Sequence, residues 1–226
     1  MNTMRSLASS LWVIDHPLQA MGLDLGARTT IVRLASGGLW MHSPGPLDQH
    51  LVSEINALGP VQALIAPNAM HHLYLARNVH AFPEAKVYIS PALPPKLTES
   101  FPYELLSDTA PEMWRQDIAQ QIIGGLPKLQ EVVFFHSASR ALLITDLAFN
   151  IRNSKSWFTR FFMRCNGGYN RFGPTRIFRS LVKDREALRL SLNRVQTWDF
   201  DRIIVTHGDV LESDGKQEMQ RQYAWV

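Results

Sequence analysis

The chain has 226 residues, of which 46% are hydrophobic and 19% charged, so it can bury a sizeable core without disulfide bonds. Its single cysteine, Cys165, excludes an intrachain disulfide and a cysteine-rich zinc cluster. No run of about 18 apolar residues is present, which argues against a transmembrane helix. Asp15 and His16 interrupt the apolar stretch near the N-terminus, which argues against a signal peptide. We therefore expect a cytoplasmic protein with one domain over residues 1–226.

The first half of the chain alternates strands and helices. Residues 29–47 predict two strands around a turn at Gly37 and Gly38, because apolar and polar positions alternate before the turn and a short apolar strand follows it. The following segments predict a helix over 47–59 that ends at Gly59, a buried strand over 61–66, a helix from about 71 to 79 and a strand over 85–90.

The second half of the chain is richer in strands. In order, it predicts short strands near 103–106 and 118–123, a hairpin of strands 131–136 and 141–150, a helix over 184–195 capped by Asp184, a strand over 202–205 and a final helix near the C-terminus. Residues 151–180 have no regular pattern and are expected to form an irregular insertion. Strands from both halves with helices between them predict an α/β fold of stacked layers.

The net charge of +3 conceals a strongly basic segment. Residues 151–194 contain eleven lysines and arginines but only two acidic residues, so the segment carries +9 and the rest of the chain −6. Aromatic residues between the arginines suit stacking on nucleic-acid bases or insertion into a lipid interface. The same pattern also fits a packed insertion whose aromatic side chains are buried while the arginines face water.

Four residues that can bind a metal follow three of the predicted strands. His71 and His72 come after the strand over 61–66, Asp146 lies near the end of the apolar run in 141–150, and His207 follows the strand over 202–205. Strand ends gather at one edge of a sheet, where loops form a pocket. Imidazole and carboxylate groups together bind zinc, iron or manganese. Each residue alone also has an ordinary explanation, such as a turn cap or a polar helix start.

His136 is a weaker candidate. It ends the strand over 131–136, in the same hairpin as Asp146, but the offset between them predicts a separation of about 10 Å or more. A hydrogen bond to Ser137 or Ser139 beside the turn is the favoured explanation. His42 ends an earlier strand and is expected at the rim of the pocket. The other histidines are expected at the surface, namely His16, His50 and His80.

The order of these segments resembles the metallo-β-lactamase superfamily. The resemblance spans about residues 11–209 and is carried by the stretches "APNAMHH", "EVVFFH", "SRALLITDLAFN" and "HGD". These stretches also resemble a narrower, uncharacterised group within that fold, DUF4336. The resemblance implies a four-layer αββα sandwich with a metal site at one edge, between two sheets.

The superfamily's first ligand motif, His-x-His-x-Asp-His, falls on residues 67–72 of this chain. Pro67 and Ala69 stand where the first two histidines are expected. His71 takes the position of the aspartate, and His72 that of the last histidine. The first of the two metal sites typical of the superfamily is therefore expected to be lost.

The resemblance implies that the second metal site survives. Asp146 matches the aspartate that bridges the two metals, and His207 matches the final histidine, whereas a loop histidine expected before Asp146 has no clear equivalent. The implied site holds one transition metal ion, zinc before iron or manganese, and its ligands would be His71, His72, Asp146 and His207. Asn68 could offer an oxygen or a hydrogen bond at the vacated site.

Two functions of different kinds follow from this resemblance. The first is a metal-dependent hydrolase of a small-molecule or anionic substrate, with Asp146 and His72 as catalytic residues. Hydrogen bonds from neighbouring polar groups would support the site, and the candidates are Asn68, His42 and His136. The alternative is a non-catalytic module of the same fold that binds an anionic partner, nucleic acid or a membrane surface, through the basic segment.

Overall fold

The structure, a computed structural model of the chain, describes residues 3–226. The strands in chain order are β1 (Met4–Ala8), β2 (Leu11–His16), β3 (Gln19–Ala20), β4 (Leu23–Asp24), β5 (Ala27–Arg33), β6 (Leu39–His42), β7 (Val61–Ala66), β8 (Lys86–Ile89), β9 (Glu104–Leu105), β10 (Ile118–Ile122), β11 (Val132–His136), β12 (Ala141–Ile144) and β13 (Arg202–Val205). The helices are α1 (Gln49–Leu58), α2 (Leu75–Ala81), α3 (Trp157–Cys165), α4 (Arg176–Leu181), α5 (Arg185–Val195) and α6 (Gly215–Gln222). A short 3-10 helix covers Pro94–Lys96.

The strands form two large sheets and one small hairpin. The larger sheet has seven strands in the order β1-β2-β5-β6-β7-β8-β9, and the smaller has four in the order β10-β11-β12-β13. Strands β6 to β9 run parallel to one another, as do β12 and β13, while the remaining neighbours in these two sheets are antiparallel. Among residues 3–226, strands β3 and β4 pair only with each other.

Side chains that alternate between the two faces of each sheet build three layers of core. On β7, Ile65 points between the two sheets, whereas its neighbour Leu64 packs under the helices on the outer face. On β11, Phe134 points inward in the same way and Val133 outward. Helices α1 and α2 cover the larger sheet, and α4, α5 and α6 contribute to the core on the smaller one. This arrangement confirms the expected αββα sandwich.

Most of the elements predicted from residue 29 onward are present, but three expectations need correction. The N-terminal strands β1 and β2 were not predicted, although they extend the larger sheet through pairing with β5. Helix α2 begins at Leu75 rather than near residue 71, because residues 71–74 form a turn. The expectation that residues 151–180 are irregular is wrong, since α3 and most of α4 lie there and begin at the caps Ser156 and Thr175, whereas the insertion itself stays a prediction.

The topology brings the candidate ligands to one edge of the sandwich. Strands β12 and β13 are parallel, and their last residues, Ile144 and Val205, pair with each other. Asp146 and His207 each follow two residues later, so both lie at the same end of the smaller sheet. His71 follows β7 in the facing sheet. Within residues 3–226, none of the helices is long and apolar enough to cross a membrane. The single domain and the cytoplasmic location stay predictions.

Candidate metal centre

Three of the four predicted ligands meet at the edge between the sheets. One side-chain donor atom from each of His71, Asp146 and His207 lies within 4.8 Å of the other two. The Nε2 atom of His71 is 3.3 Å from one carboxylate oxygen of Asp146, and Nε2 of His207 is 3.6 Å from the other. Two imidazoles and a carboxylate in this arrangement are a donor set that can hold a divalent transition metal.

The orientation of both imidazole rings is fixed by their second nitrogen. The Nδ1 atom of His207 lies 2.7 Å from the carbonyl oxygen of Gly26, and Nδ1 of His71 lies 2.9 Å from the hydroxyl oxygen of Ser43. A carbonyl oxygen can only accept, so Nδ1 of His207 is the donor in this contact, which in a neutral imidazole leaves the lone pair on Nε2. Histidines that bind metals are generally oriented by this kind of hydrogen bond.

The loop that carries His207 depends on a glycine. Gly208 has a positive φ of 101°, and a Cβ atom there would lie 2.3 Å from the carbonyl group of Asn150. The close approach allows the Asn150 amide to donate to the His207 carbonyl oxygen at 3.0 Å. Phe149 stacks on the imidazole of His207, with ring centroids 5.1 Å apart. The ring of His207 is therefore held from both its backbone and its face.

Asn68, predicted from the sequence near the site, links two of the clustered residues. Its side-chain oxygen accepts hydrogen bonds from the backbone amides of Met70 at 2.8 Å and His71 at 3.0 Å. Its side-chain nitrogen donates to Asp146 and to the hydroxyl of Thr145, both at 2.8 Å. Asn68 is fully buried. It therefore fixes the turn that presents His71 relative to the carboxylate of Asp146.

Glu131 was not identified from the sequence, although it organises the loop of Asp146. Its buried carboxylate accepts hydrogen bonds from three successive backbone amides, those of Thr145 at 2.6 Å, Asp146 at 2.8 Å and Leu147 at 2.9 Å. Burial raises the pKa of Glu131, and the nearby charge of Asp146 acts in the same direction, whereas the hydrogen bonds oppose it. The only signal in the sequence is a lone acidic residue at the start of a very apolar strand.

The electrostatic environment keeps Asp146 in its charged form. Burial alone would raise the pKa of its carboxyl, but the neighbouring imidazoles of His71 and His207 outweigh that effect and hold the pKa below its usual range. A carboxylate that stays ionised under all ordinary conditions suits a metal ligand.

His72 lies beside the cluster but is not part of the group of three. It sits in the same turn as His71, is half-buried, and its Nδ1 atom has no hydrogen-bond partner among the described residues. Burial lowers the pKa of His72, and the charges of Lys96 and His71 lower it further. Its role as a fourth ligand or a catalytic residue stays a prediction.

Two histidines expected near the site do not line its cavity. His42 is not at the pocket rim but buried between the sheets, where it stacks on Trp40 with centroids 5.7 Å apart and meets the edge of Phe134. His136 lies at the far end of β11, and its Nδ1 is 2.7 Å from the hydroxyl of Ser139 beside the hairpin turn. The supporting role considered for His136 is corrected on this ground, because β12 runs from that turn to the loop of Asp146.

His16 was expected at the surface but is buried beside the cavity. His50 and His80 are exposed as predicted, but His16 is only 7% exposed, and its Nδ1 has no partner among residues 3–226. Burial lowers its pKa to about 4, despite the opposing charge of Asp15 and helped by those of His207 and His71. Gly45 lies against its ring, where a Cβ atom would be 2.3 Å away. His16 was missed because β2 was not predicted.

The comparison with protein families assigns the chain to a family. The family described as "Domain of unknown function (DUF4336)" matches residues 8–164, which is more than half of the chain. The chain belongs to the DUF4336 family. No curated protein matches the sequence.

Solved structures show which fold this DUF4336 protein has. A metallo-beta-lactamase from Pontibacter korlensis is 15% identical, with a TM-score of 0.67 over 99% of this chain and 98% of that one. The DIM-1 metallo-beta-lactamase is 13% identical, with the same TM-score over 99% and 97%. The flavodiiron core of Flv1 from Synechocystis sp. PCC6803 is 11% identical, with a TM-score of 0.67 over 99% of this chain and 60% of that one. The DUF4336 chain therefore has the metallo-β-lactamase fold.

The cluster in this DUF4336 protein opens into a large cavity. The cavity has a volume of about 630 Å³, and His16, His71, His72, Asp146 and His207 all contribute to its wall. A volume of this size is typical of sites for small molecules. The clustered imidazoles and carboxylate are thus accessible to a ligand, whereas a purely structural metal site would be closed.

Proposed function

We propose that this protein is a metal-dependent hydrolase that uses a single metal ion held by His71, Asp146 and His207. The observation that supports the proposal is the convergence of their three donor atoms within 4.8 Å, in the wall of a cavity that can admit a substrate. Both imidazoles turn Nε2 toward the carboxylate while hydrogen bonds occupy Nδ1. The residues present therefore fit a metal ion at this position.

The donor set favours zinc, with iron or manganese as the alternatives. Two histidines and one carboxylate bind all three metals. Three protein ligands leave at least one coordination position for water or substrate, which distinguishes catalytic from structural zinc sites. The mononuclear character of the site is proposed because Pro67 and Ala69 occupy the positions of the first two histidines in the motif of the superfamily.

The proposed reaction is hydrolysis of an ester, amide or phosphoester. The metal would lower the pKa of water and polarise the oxygen of the bond to be broken. Asp146 remains charged, so its carboxylate can orient the attacking water as well as bind the ion. His16 and His72 line the same cavity, and we propose that their imidazoles hydrogen-bond to the substrate or to the leaving group.

A second candidate function is the binding of an anionic partner by the basic segment. The observation that favours it is the exposure of Arg164 and Arg176 on α3 and α4, together with that of the aromatic residues Trp157 and Phe161 on α3. This function predicts binding to nucleic acid or anionic lipid that weakens as salt is added. Charge reversal at Arg164 and Arg176 that leaves such binding intact would exclude it.

The hydrolase is tested first by metal content. We expect freshly purified protein to contain about one zinc, iron or manganese ion per chain, which chelation removes together with activity on generic ester or phosphodiester substrates. His80→Ala is a matched control for His207→Ala, because His80 is exposed and does not line the cavity. The hypothesis fails if elemental analysis finds no transition metal and added zinc leaves the melting temperature unchanged.

A further inference from the structure

The wall of the cavity is mostly apolar away from the cluster. Beyond the histidines and Asp146, its lining includes Leu18, Leu23, Leu25, Phe149, Phe162 and Met163. A ligand with many hydroxyl or amide groups would leave those groups without partners against such a wall, at a considerable cost in binding free energy. The lining therefore selects a ligand that is mainly hydrocarbon, with one polar end that meets the cluster.

The apolar wall is built by a part of the fold that is anchored in place. The hairpin of β3 and β4 is tied to α3 by a hydrogen bond from the Asp24 amide to the hydroxyl of Thr159 at 2.8 Å. Helix α4 is tied to the end of α3 by a bond from the Arg176 amide to the carbonyl of Asn166, also at 2.8 Å. The cavity is thus preformed, which lowers the entropic cost of binding an extended chain.

The mouth of the cavity carries apolar side chains that the protein leaves in water. Met21 is 88% exposed, Leu73 68%, Met70 60% and Leu181 40%, and all four line the cavity. Exposed apolar residues are unremarkable singly, but several around one opening mark a surface that a ligand covers.

Two lysines add a charge preference to the same site. Lys96 and Lys128 line the cavity together with the exposed apolar residues. Lys96 bonds only to neutral atoms in the described structure, the carbonyl of Ala69 and the sulfur of Met70, so its charge is not neutralised there. An anionic group on the ligand, such as a carboxylate or a phosphate, suits these two cations.

We propose that the cavity binds the hydrocarbon chain of a fatty-acyl compound, with the polar end of the chain at the side of His71, Asp146 and His207. The chain would contact the apolar wall from β3, β4, α3 and α4, and an anionic group would approach Lys96 and Lys128. The proposal rests on the proposed hydrolase only for the position of the bond to be broken. Binding of the chain itself requires no metal.

The test uses the 226-residue protein after a chelator has removed its metal. The probes are a series of saturated monocarboxylic acids. Affinity is measured by titration calorimetry below the concentration at which each acid forms micelles. We expect affinity to rise on the order of threefold to fourfold for each added methylene, from about six carbons until the cavity is filled. Affinity that does not depend on chain length overturns the proposal.

A pair of matched variants locates the binding site. Leu181→Asp places a charge in the mouth, whereas Leu190→Asp makes the same change on α5 at a residue that is 50% exposed and does not line the cavity. We expect the first to weaken binding of the longest probe by roughly tenfold or more and the second to leave it unchanged. Leu73→Asp, in an exposed turn, serves if Leu181→Asp does not fold. Equal affinity in all of these variants overturns the proposal.

A second experiment tests whether the acyl compound comes from solution or from a membrane. The same acids are offered either as monomers or within vesicles of phosphatidylcholine and phosphatidylglycerol. Trp157 and Phe161 are 70% and 59% exposed on α3 and do not line the cavity, so Trp157→Ala and Phe161→Ala should reduce uptake from vesicles alone if the source is a membrane. If neither change alters uptake, the ligand is taken from solution. Either result supports binding of the hydrocarbon chain in the cavity.

The two proposals fail independently. Loss of chain-length dependence in the metal-free protein would refute the acyl site and leave the metal content and the hydrolase untouched. Absence of a metal or of hydrolysis would refute the hydrolase, while the calorimetric series would still report whether the cavity holds an acyl chain.

Discussion

The buried carboxylate of Glu131 accepts a hydrogen bond from the backbone amide of Asp146 at 2.8 Å, so one acidic residue positions the other. Glu131 is fully buried, and it also accepts from the amides on either side of Asp146. Two carboxyl groups in one small region would ordinarily repel each other. Here, the backbone amides of the loop donate to Glu131, which fixes the loop. The carboxylate of Asp146 instead faces the imidazoles of His71 and His207.

We predict that Glu131→Gln destabilises the protein and weakens metal binding. A glutamine amide has one acceptor oxygen and would turn a donor toward backbone amides, so at least one buried N–H loses its partner. We expect a loss of about 2 to 4 kcal/mol in the free energy of unfolding and a roughly tenfold to hundredfold loss in zinc affinity. Urea unfolding and competition with a zinc chelator measure the two effects. Glu112→Gln is the control, since Glu112 is largely exposed, and equal zinc affinity in both variants contradicts the prediction.

Asn68 provides a second test of how the cluster is positioned. Asn68→Asp keeps an oxygen for the amides of Met70 and His71 but removes the N–H that donates to Asp146, and it adds a negative charge beside that carboxylate. We expect zinc affinity to fall by roughly tenfold to hundredfold while the helix content stays unchanged. Circular dichroism and chelator competition report the two quantities. Unchanged zinc affinity would show that the bond to Asp146 does not position the ligand.

The sequence predicted the edge of the sheet at which the site forms, because that information is local. Apolar strands followed within a few residues by His71, Asp146 and His207 identify strand ends, and parallel pairing of β12 with β13 then brings two of the three together. The alternation of strands and helices predicted stacked α/β layers, whereas the four-layer αββα order was implied by the resemblance to the superfamily.

The residues that the sequence could not place depend on contacts between distant segments. Glu131 meets Asp146 only because β11 and β12 form a hairpin whose far end carries both. His16 joins the cavity through pairing of β2 with β5, which no local pattern indicated. His71 and His72 are neighbours in one turn, and nothing in their spacing tells which of the two side chains faces Asp146.

We predict that zinc raises the melting temperature through the group of three ligands. At a free zinc concentration about a hundredfold above the dissociation constant, binding adds about 2.7 kcal/mol to the stability of the folded state. For a domain of this size, the melting temperature should rise by roughly 5 to 10 °C. The increase should vanish in His207→Ala and persist in His80→Ala, whose side chain is exposed. Differential scanning calorimetry with and without zinc measures it, and an equal increase in both variants would place the metal elsewhere.

His72 has a distinct prediction from the three clustered residues. It lies in the cavity wall but outside the group whose donor atoms converge. If it contacts substrate and does not bind the ion, His72→Ala should leave one metal per chain and lower kcat/KM, whereas His71→Ala should lose both metal and activity. Metal content is read by elemental analysis of the two variants purified side by side. Loss of metal in His72→Ala would make it a fourth ligand instead.

The buried His42 predicts how stability depends on pH. Burial lowers the pKa of His42 from 6.5 to about 3, with a contribution from the charge of His71, so the unfolded chain binds a proton in this range that the folded chain does not. The free energy of unfolding therefore falls as the pH drops from about 6.5 toward 3, by up to about 1.4 kcal/mol per pH unit for this residue. His42→Phe keeps a ring against Trp40 and removes the titration. Between pH 7 and pH 4.5, we expect the variant to lose about 2 to 3 kcal/mol less than the unmodified protein in urea unfolding. His80→Phe, at an exposed site, should show the original pH dependence, and the same dependence in His42→Phe would mean that His42 is not the buried group responsible.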